Sequence, residues 1–165
     1  MEPCLPYTAF DLRDVMQAVR ESAFPEIKLQ VDCFYVNYGH LVCICPDENA
    51  GIATVYLHQV LNHPDTPIEV AATICKHELL HLEIPSREID GKMTNHPPEF
   101  WEKEKTICPE REIVWSWIWW NFGHYLRPIR KRECIKVLSQ WRKEWNLPRS
   151  ALSESSAGVS YDGSF

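Results

Sequence analysis

Apolar residues Leu12, Val15, Met16 and Val19 recur at helical spacing, and Thr8 stands where it can cap that helix with Asp11 three residues on. Pro25 stops it. From Ile27 the period shortens to two. Ile27, Leu29, Val31, Cys33 and Tyr35 alternate with Lys28, Gln30, Asp32 and Phe34, which predicts a half-buried strand. Asn37-Tyr38-Gly39 and the run from Pro46 to Gly51 read as turns flanking two more strands, Leu41 to Cys45 and Ile52 to Leu57. The expectation is a small antiparallel meander.

Helical periods dominate the remainder. Thr66-Pro67-Ile68-Glu69 combines a capping threonine, a proline at the first helical position and a glutamate closing a capping box. That predicts a helix from Pro67 to about Glu83, ending before Pro85. Asn95 can cap a second, with Pro97 and Pro98 in its first turn and Phe100 and Trp101 on its apolar side. A third starts at Pro109 and carries Ile113, Val114, Trp117 and Ile118. Pro128 opens the last, in which Cys134, Leu138, Trp141 and Trp145 follow one helical face. The pattern predicts one α+β domain over residues 1–147, with a small antiparallel sheet packed on the Pro67–Glu83 helix and a helical C-terminal half. Residues 148–165 are Ser-rich with few large side chains, the composition of a disordered tail.

Composition narrows the class. A chain of 165 residues buries roughly 70% of the surface it exposes when unfolded, so it needs no disulfide staples. Seven cysteines at irregular spacing form no C-x-x-C pair, which speaks against a zinc ribbon or a thioredoxin-like redox motif. The acidic, proline-interrupted N-terminus is unlike a signal peptide, and the longest mostly apolar run, Ile113 to Phe122, is about half a bilayer span. A cytoplasmic protein with reduced thiols and no membrane segment is the expectation. Seventeen Lys and Arg stand against 23 Asp and Glu. Between Arg127 and Arg149, however, eight basic residues face two acidic ones. That segment is either a phosphate-binding face or the solvated side of an amphipathic helix.

The chemistry concentrates in His77-Glu78-Leu79-Leu80-His81, inside the capped helix. Histidines four apart project from one helical face, so both can reach one metal ion, with Glu78 beside them to serve a bound water. A catalytic zinc takes three protein ligands and keeps one open position. His96, separated from His81 by fourteen residues, is the candidate third ligand, and Glu99, Glu102 and Glu104 on the following helix are its rivals. Such a site hydrolyses peptide bonds through a zinc-bound water that Glu78 activates as general base, returning the proton to the leaving amine. His124 and Tyr125 are chemically able to donate to the oxyanion.

The motif H-E-x-x-H, fourteen residues, then His96-Pro97-Pro98-Glu99-Phe100 resembles the SprT-like zinc metalloproteases, the group that includes Spartan. Its short H-x-x-x-F ending is also similar to the YgjP-like and WLM metallopeptidases. The resemblance covers roughly Ile52 to Trp101. It implies a zincin-like, minigluzincin-type fold with one zinc per chain on His77, His81 and His96, and Glu78 as general base. It also implies polypeptide substrates, including DNA-associated proteins, which add along the strand Ile52 to Leu57. DNA would be contacted through Arg127–Arg149. Relatives with a C-terminal zinc ribbon have paired C-x-x-C motifs that this chain lacks.

Two other classes remain open. One is a regulatory protease similar to the ImmA/IrrE-like proteins, cutting a single partner. The other is a non-catalytic, zinc-containing nucleic-acid-binding protein. Trp115, Trp117, Trp119 and Trp120 read as a helix packed against the zinc helix, with one side partly exposed. His58 and His63 read as loop residues, and the cysteines as small core residues.

Overall fold

Helix α1 (Leu12–Ala23) begins at Asp11, whose carboxylate accepts the Arg13 N–H at 2.8 Å. The computed structural model describes residues 9–37 and 39–144, so Thr8, Trp145 and the expected tail at 148–165 lie outside the described residues. Leu12, Val15, Met16 and Val19 form the buried face of α1, as their spacing requires.

Strands β1 (Gln30–Val36), β2 (Val42–Asp47) and β3 (Ile52–His58) form one sheet, but not a meander. The order is β1-β3-β2, with β3 antiparallel to β2 and parallel to β1. This corrects the expected antiparallel arrangement. β3 lies between β1 and β2, so these two do not form a hairpin, and the chain at Gly39–Leu41 meets the end of β3. Leu41, 1% exposed, plugs the core there, accepts the His58 N–H and donates its own N–H to Ile135. The turn at 48–51 does form as read. Asp47 accepts the Ala50 N–H, and Gly51 takes the positive φ of 70° that a side chain would oppose.

Helix α2 (Ile68–Glu83) packs against α1, β2 and two later helices, α3 (Pro98–Ile107) and α4 (Arg111–Phe122). Val70, Ile74, Cys75, Leu79 and Leu80 are buried in one core with Met16, Val55, Leu57 and Ile118. Each such aliphatic side chain contributes about 1.5–3 kcal/mol by burial. The capping box is not realised. Pro67 is still extended (ψ 146°) and occupies the cap position, so Thr66 sits one residue too early and its buried hydroxyl makes no capping bond. Likewise α3 is capped at Pro97 rather than Asn95, and α4 starts two residues after Pro109. On α4, Trp115 and Trp119 are buried, Trp117 packs partly against the core and Trp120 is exposed.

Two hairpins replace segments expected as loop or helix. β4 (Arg87–Ile89) and β5 (Lys92–Thr94) turn at Asp90-Gly91, both at positive φ. β6 (Leu126–Ile129) and β7 (Cys134–Val137) pair antiparallel where the last helix was expected. Among the described residues, helix α5 spans Trp141–Glu144. The helical reading from Cys134 to Trp141 fails because Ile135 and Val137 alternate with Lys136, and their β-branched side chains suit a strand. Val137 and Leu126 are buried against the core, and β7 also pairs with the chain at Gly39–Leu41. Pro128 lies on β6, an edge strand, where its missing N–H costs least. The fold is α+β, and beyond Phe122 the described chain is mainly the β6–β7 hairpin, with single turns of helix beside it. Among the described residues, no helix is long and apolar enough to cross a membrane.

Candidate metal centre

His77 and His81 stand one turn apart on α2, and His96 reaches them from the short link between β5 and α3. One ring nitrogen from each lies within 4.8 Å of the others, and the Nε2 atoms of His77 and His96 are 3.2 Å apart. Phe100 packs against all three rings, at centroid distances of 4.6–5.1 Å. This largely buried group could hold a metal ion.

The donor set fits a cation. Burial, then the charges of neighbouring His77 and His96, push the His81 imidazole down to about 3. Burial, then His77 and Arg111, do the same to His96. Near neutral pH these rings are therefore unprotonated, with lone pairs free for coordination. Behind His77 stands Glu104, fully buried, whose Oε1 is 2.6 Å from His77 Nδ1. Its Oε2 is 2.7 Å from Arg111 Nε. Burial alone would raise the Glu104 carboxyl, but the His77 hydrogen bond and charge, with Arg111, outweigh it and hold the group below the usual range. Such a carboxylate accepts the Nδ1 proton of its histidine, which leaves Nε2 as the metal-facing atom. The Arg111 guanidinium lies 5.1 Å from the Trp101 ring centre, and that ring packs against His96 at 4.8 Å.

Glu78 lines the same cavity as the three histidines and is 3% exposed. Burial, partly offset by His77 and reinforced by the Glu104 charge, pushes its carboxyl up to about 7 in the metal-free chain. The cavity has a volume of about 530 Å³. Its walls include Val42, Cys43 and Ile44 of β2, Trp101, Trp115 and Arg111.

Several expected participants lie elsewhere. Neither His124 nor Tyr125 lines the cavity, and Tyr125 is 1% exposed in the core, so neither is placed to meet an oxyanion there. The strand Ile52 to Leu57 is central in the sheet, with both edges paired, and has no room for a substrate strand. Of the rival ligands, Glu99 pairs with Arg87 at 2.7 Å, Glu102 is exposed, and Glu104 backs a histidine instead of joining the cluster. His58 is buried beneath Trp141 and accepts the Val60 N–H, while His63 accepts the Asp65 N–H in a loop. Cys33, Cys75 and Cys108 are core residues, but Cys43 lines the cavity and Cys45 is exposed. Glu104 had a sequence signal that was read differently: it follows Phe100 by one turn on the buried face of α3. The arrival of Arg111 and Glu133 beside the site had none.

No protein-family model matches this chain, and no curated protein matches it.

Proposed function

We propose that the chain is a zinc-dependent metallopeptidase of the SprT-like kind, with a zincin-like fold and Glu78 as general base. The convergence of His77, His81 and His96 on one point, with Glu78 in the same cavity, carries the reading. Three imidazole nitrogens with a position left open suit Zn2+, which when bound supplies a water of lowered pKa and polarises a carbonyl. Glu78, in the same cavity as the three histidines, takes the proton from the attacking water and returns it to the departing amine. His77 is oriented through its Nδ1 by Glu104, and Phe100 keeps solvent from the inner side of the cluster.

The substrate is an extended polypeptide. Among the described residues β2 pairs with β3 alone from Val42 onward, and its other edge offers main-chain donors and acceptors at the cavity rim. β2 thus takes the role first given to the central strand. A cytoplasmic location accompanies this reading, since a reducing compartment keeps an exposed thiol such as Cys45 free.

DNA-associated proteins are the favoured substrates because of the β6–β7 hairpin. Arg127 and Lys136 are exposed and directly opposite each other across it, with Lys131 exposed near its turn. Like charges so placed repel, and a phosphate backbone relieves the repulsion.

The decisive experiment measures zinc per chain and degradation of an unfolded protein, for wild type, His96→Ala and Glu78→Gln. Wild type is expected to hold one zinc and His96→Ala to lose most of it. Glu78→Gln should keep zinc and lose about 10²–10⁴-fold in activity. No zinc in folded wild-type protein after reconstitution sinks the metallopeptidase reading. Zinc without activity on unfolded proteins, but with cleavage of one partner, returns the regulatory-protease alternative. DNA binding with zinc but no proteolysis returns the non-catalytic one.

A further inference from the structure

His96 has the weakest local support of the three histidines. His77 and His81 are held by the main-chain bonds of α2, whereas His96 lies between the end of β5 at Thr94 and the start of α3 at Pro98. In this link Pro97 has no N–H, so the main-chain donors are those of Asn95 and His96. Both go to one atom. Glu133 Oε2 accepts the Asn95 N–H at 3.0 Å and the His96 N–H at 2.9 Å, across 37 residues of sequence in the second case. The same oxygen is 3.2 Å from His96 Nδ1 but misaligned for a hydrogen bond, so it holds the main chain and not the ring.

Glu133 itself sits in an unfavourable conformation. Its φ of 48° and ψ of 45° are left-handed, where glycine is at ease and a long side chain is not. Asp90 is the other non-glycine residue at positive φ among the described residues, and its hairpin turn with Gly91 requires that geometry. Glu133 ends a short 3-10 turn, Arg130–Arg132, where glycine would serve the backbone better. What a glycine cannot supply is the carboxylate.

We propose that Glu133 is the positioning residue for the third ligand: from a strained turn it clamps the main chain of Asn95 and His96 and so presents His96 to the metal. The proposal rests on the metal-site reading above. It makes the β6–β7 hairpin part of the metal centre, although no residue of that hairpin is a ligand. The clamp works mainly through two main-chain bonds, so an amide oxygen in the same place can serve it.

The test compares wild type, Glu133→Gly and Glu133→Gln by zinc affinity in chelator competition, thermal midpoint of the metal-free protein, and amide exchange at Asn95 and His96. Glu133→Gly relieves the backbone and removes the clamp together. It is expected to weaken zinc about 10–100-fold, leave the metal-free midpoint at or above that of wild type, and speed exchange at both amides. Glu133→Gln is expected to restore most of the affinity and the protection. Unchanged zinc affinity in Glu133→Gly, with wild type binding zinc, overturns the proposal alone. A fall in affinity matched by loss of the metal-free fold also overturns it, making Glu133 a general staple. Wild-type protein that binds no zinc overturns the metal reading, and this proposal with it.

Discussion

His77 and His96 are each backed by a carboxylate from a distant element, and the two supports are built differently. Glu104 is fully buried on a regular helix, bonds the imidazole itself and is neutralised by Arg111. Glu133 is partly exposed on a strained turn and bonds the main chain beside its histidine. The first arrangement controls the charge and tautomer of a ligand that α2 already places. The second places a ligand that no helix or strand holds. A side chain on a rigid element needs tuning, while one on a link first needs positioning.

The largest effect expected from breaking this contrast is on the buried side. Glu104→Ala leaves Arg111 with its charge buried and its main partner gone, and should cost about 3–5 kcal/mol by chemical denaturation of the metal-free protein. Glu104→Gln keeps the shape and should fall between that variant and wild type. A loss below about 1 kcal/mol for the alanine variant would mean that Arg111 reaches solvent, and that the two supports are more alike than their burial implies.

Acid should sharpen the contrast next. His58, His81 and His96 are all held low by burial, to about 4, 3 and 3, from an ordinary 6.5. As pH falls below 6.5 the unfolded chain takes up protons that the folded chain refuses. The stability tied to the neutral rings is therefore complete above 6.5 and is lost progressively toward pH 4 and below. Glu78 acts in the opposite sense: its raised carboxyl holds a proton in the folded state between 4.5 and about 7. Three groups outweigh one, so metal-free stability should drop from pH 7 to 4.5, and more steeply in Glu78→Gln. Denaturant midpoints across that range check it; a flat profile contradicts it.

Trp101 joins the two supports, since its ring packs on His96 and carries the Arg111 guanidinium. Trp101→Ala should cost about 2 kcal/mol through lost packing and the cation–π contact. Stability and zinc affinity should fall together. A change in only one of them would show the supports to be independent.

The smallest effect serves as the control. Arg87 and Glu99 pair at 2.7 Å across the β4–β5 hairpin and α3, but both are well exposed. Arg87→Ala should change stability by no more than about 0.5 kcal/mol, and less in high salt. A larger loss would make the hairpin a third support of the His96 link.

Legibility in the sequence followed the range of the interactions. Leu12, Val15, Met16 and Val19 announced α1 because amphipathic spacing is local, and His77, Glu78 and His81 announced one face of α2 for the same reason. Asp90-Gly91 is an equally local hairpin signal. The parallel pairing of β1 with β3 could not be read from alternation, which is identical for either neighbour and either direction. The region from Pro128 to Trp141 misled because helical and strand periods overlap in so short a run. There Ile135 and Val137 were settled by pairing with β6 and by two main-chain bonds to Gly39 and Leu41, far back in the chain.

By itself, then, the amino-acid order determined the histidine pair on one face of α2, the glutamate beside it and the α+β class, all consequences of backbone periodicity within a few residues. The tertiary structure decided which chemistry His96 can share in, which glutamate backs a ligand and which strand edge stays open. Those outcomes depend on where packed elements meet. Glu104 and Glu133 show why: each becomes part of the site through a neighbour about 27 or 37 residues away, brought near by burial of a common core.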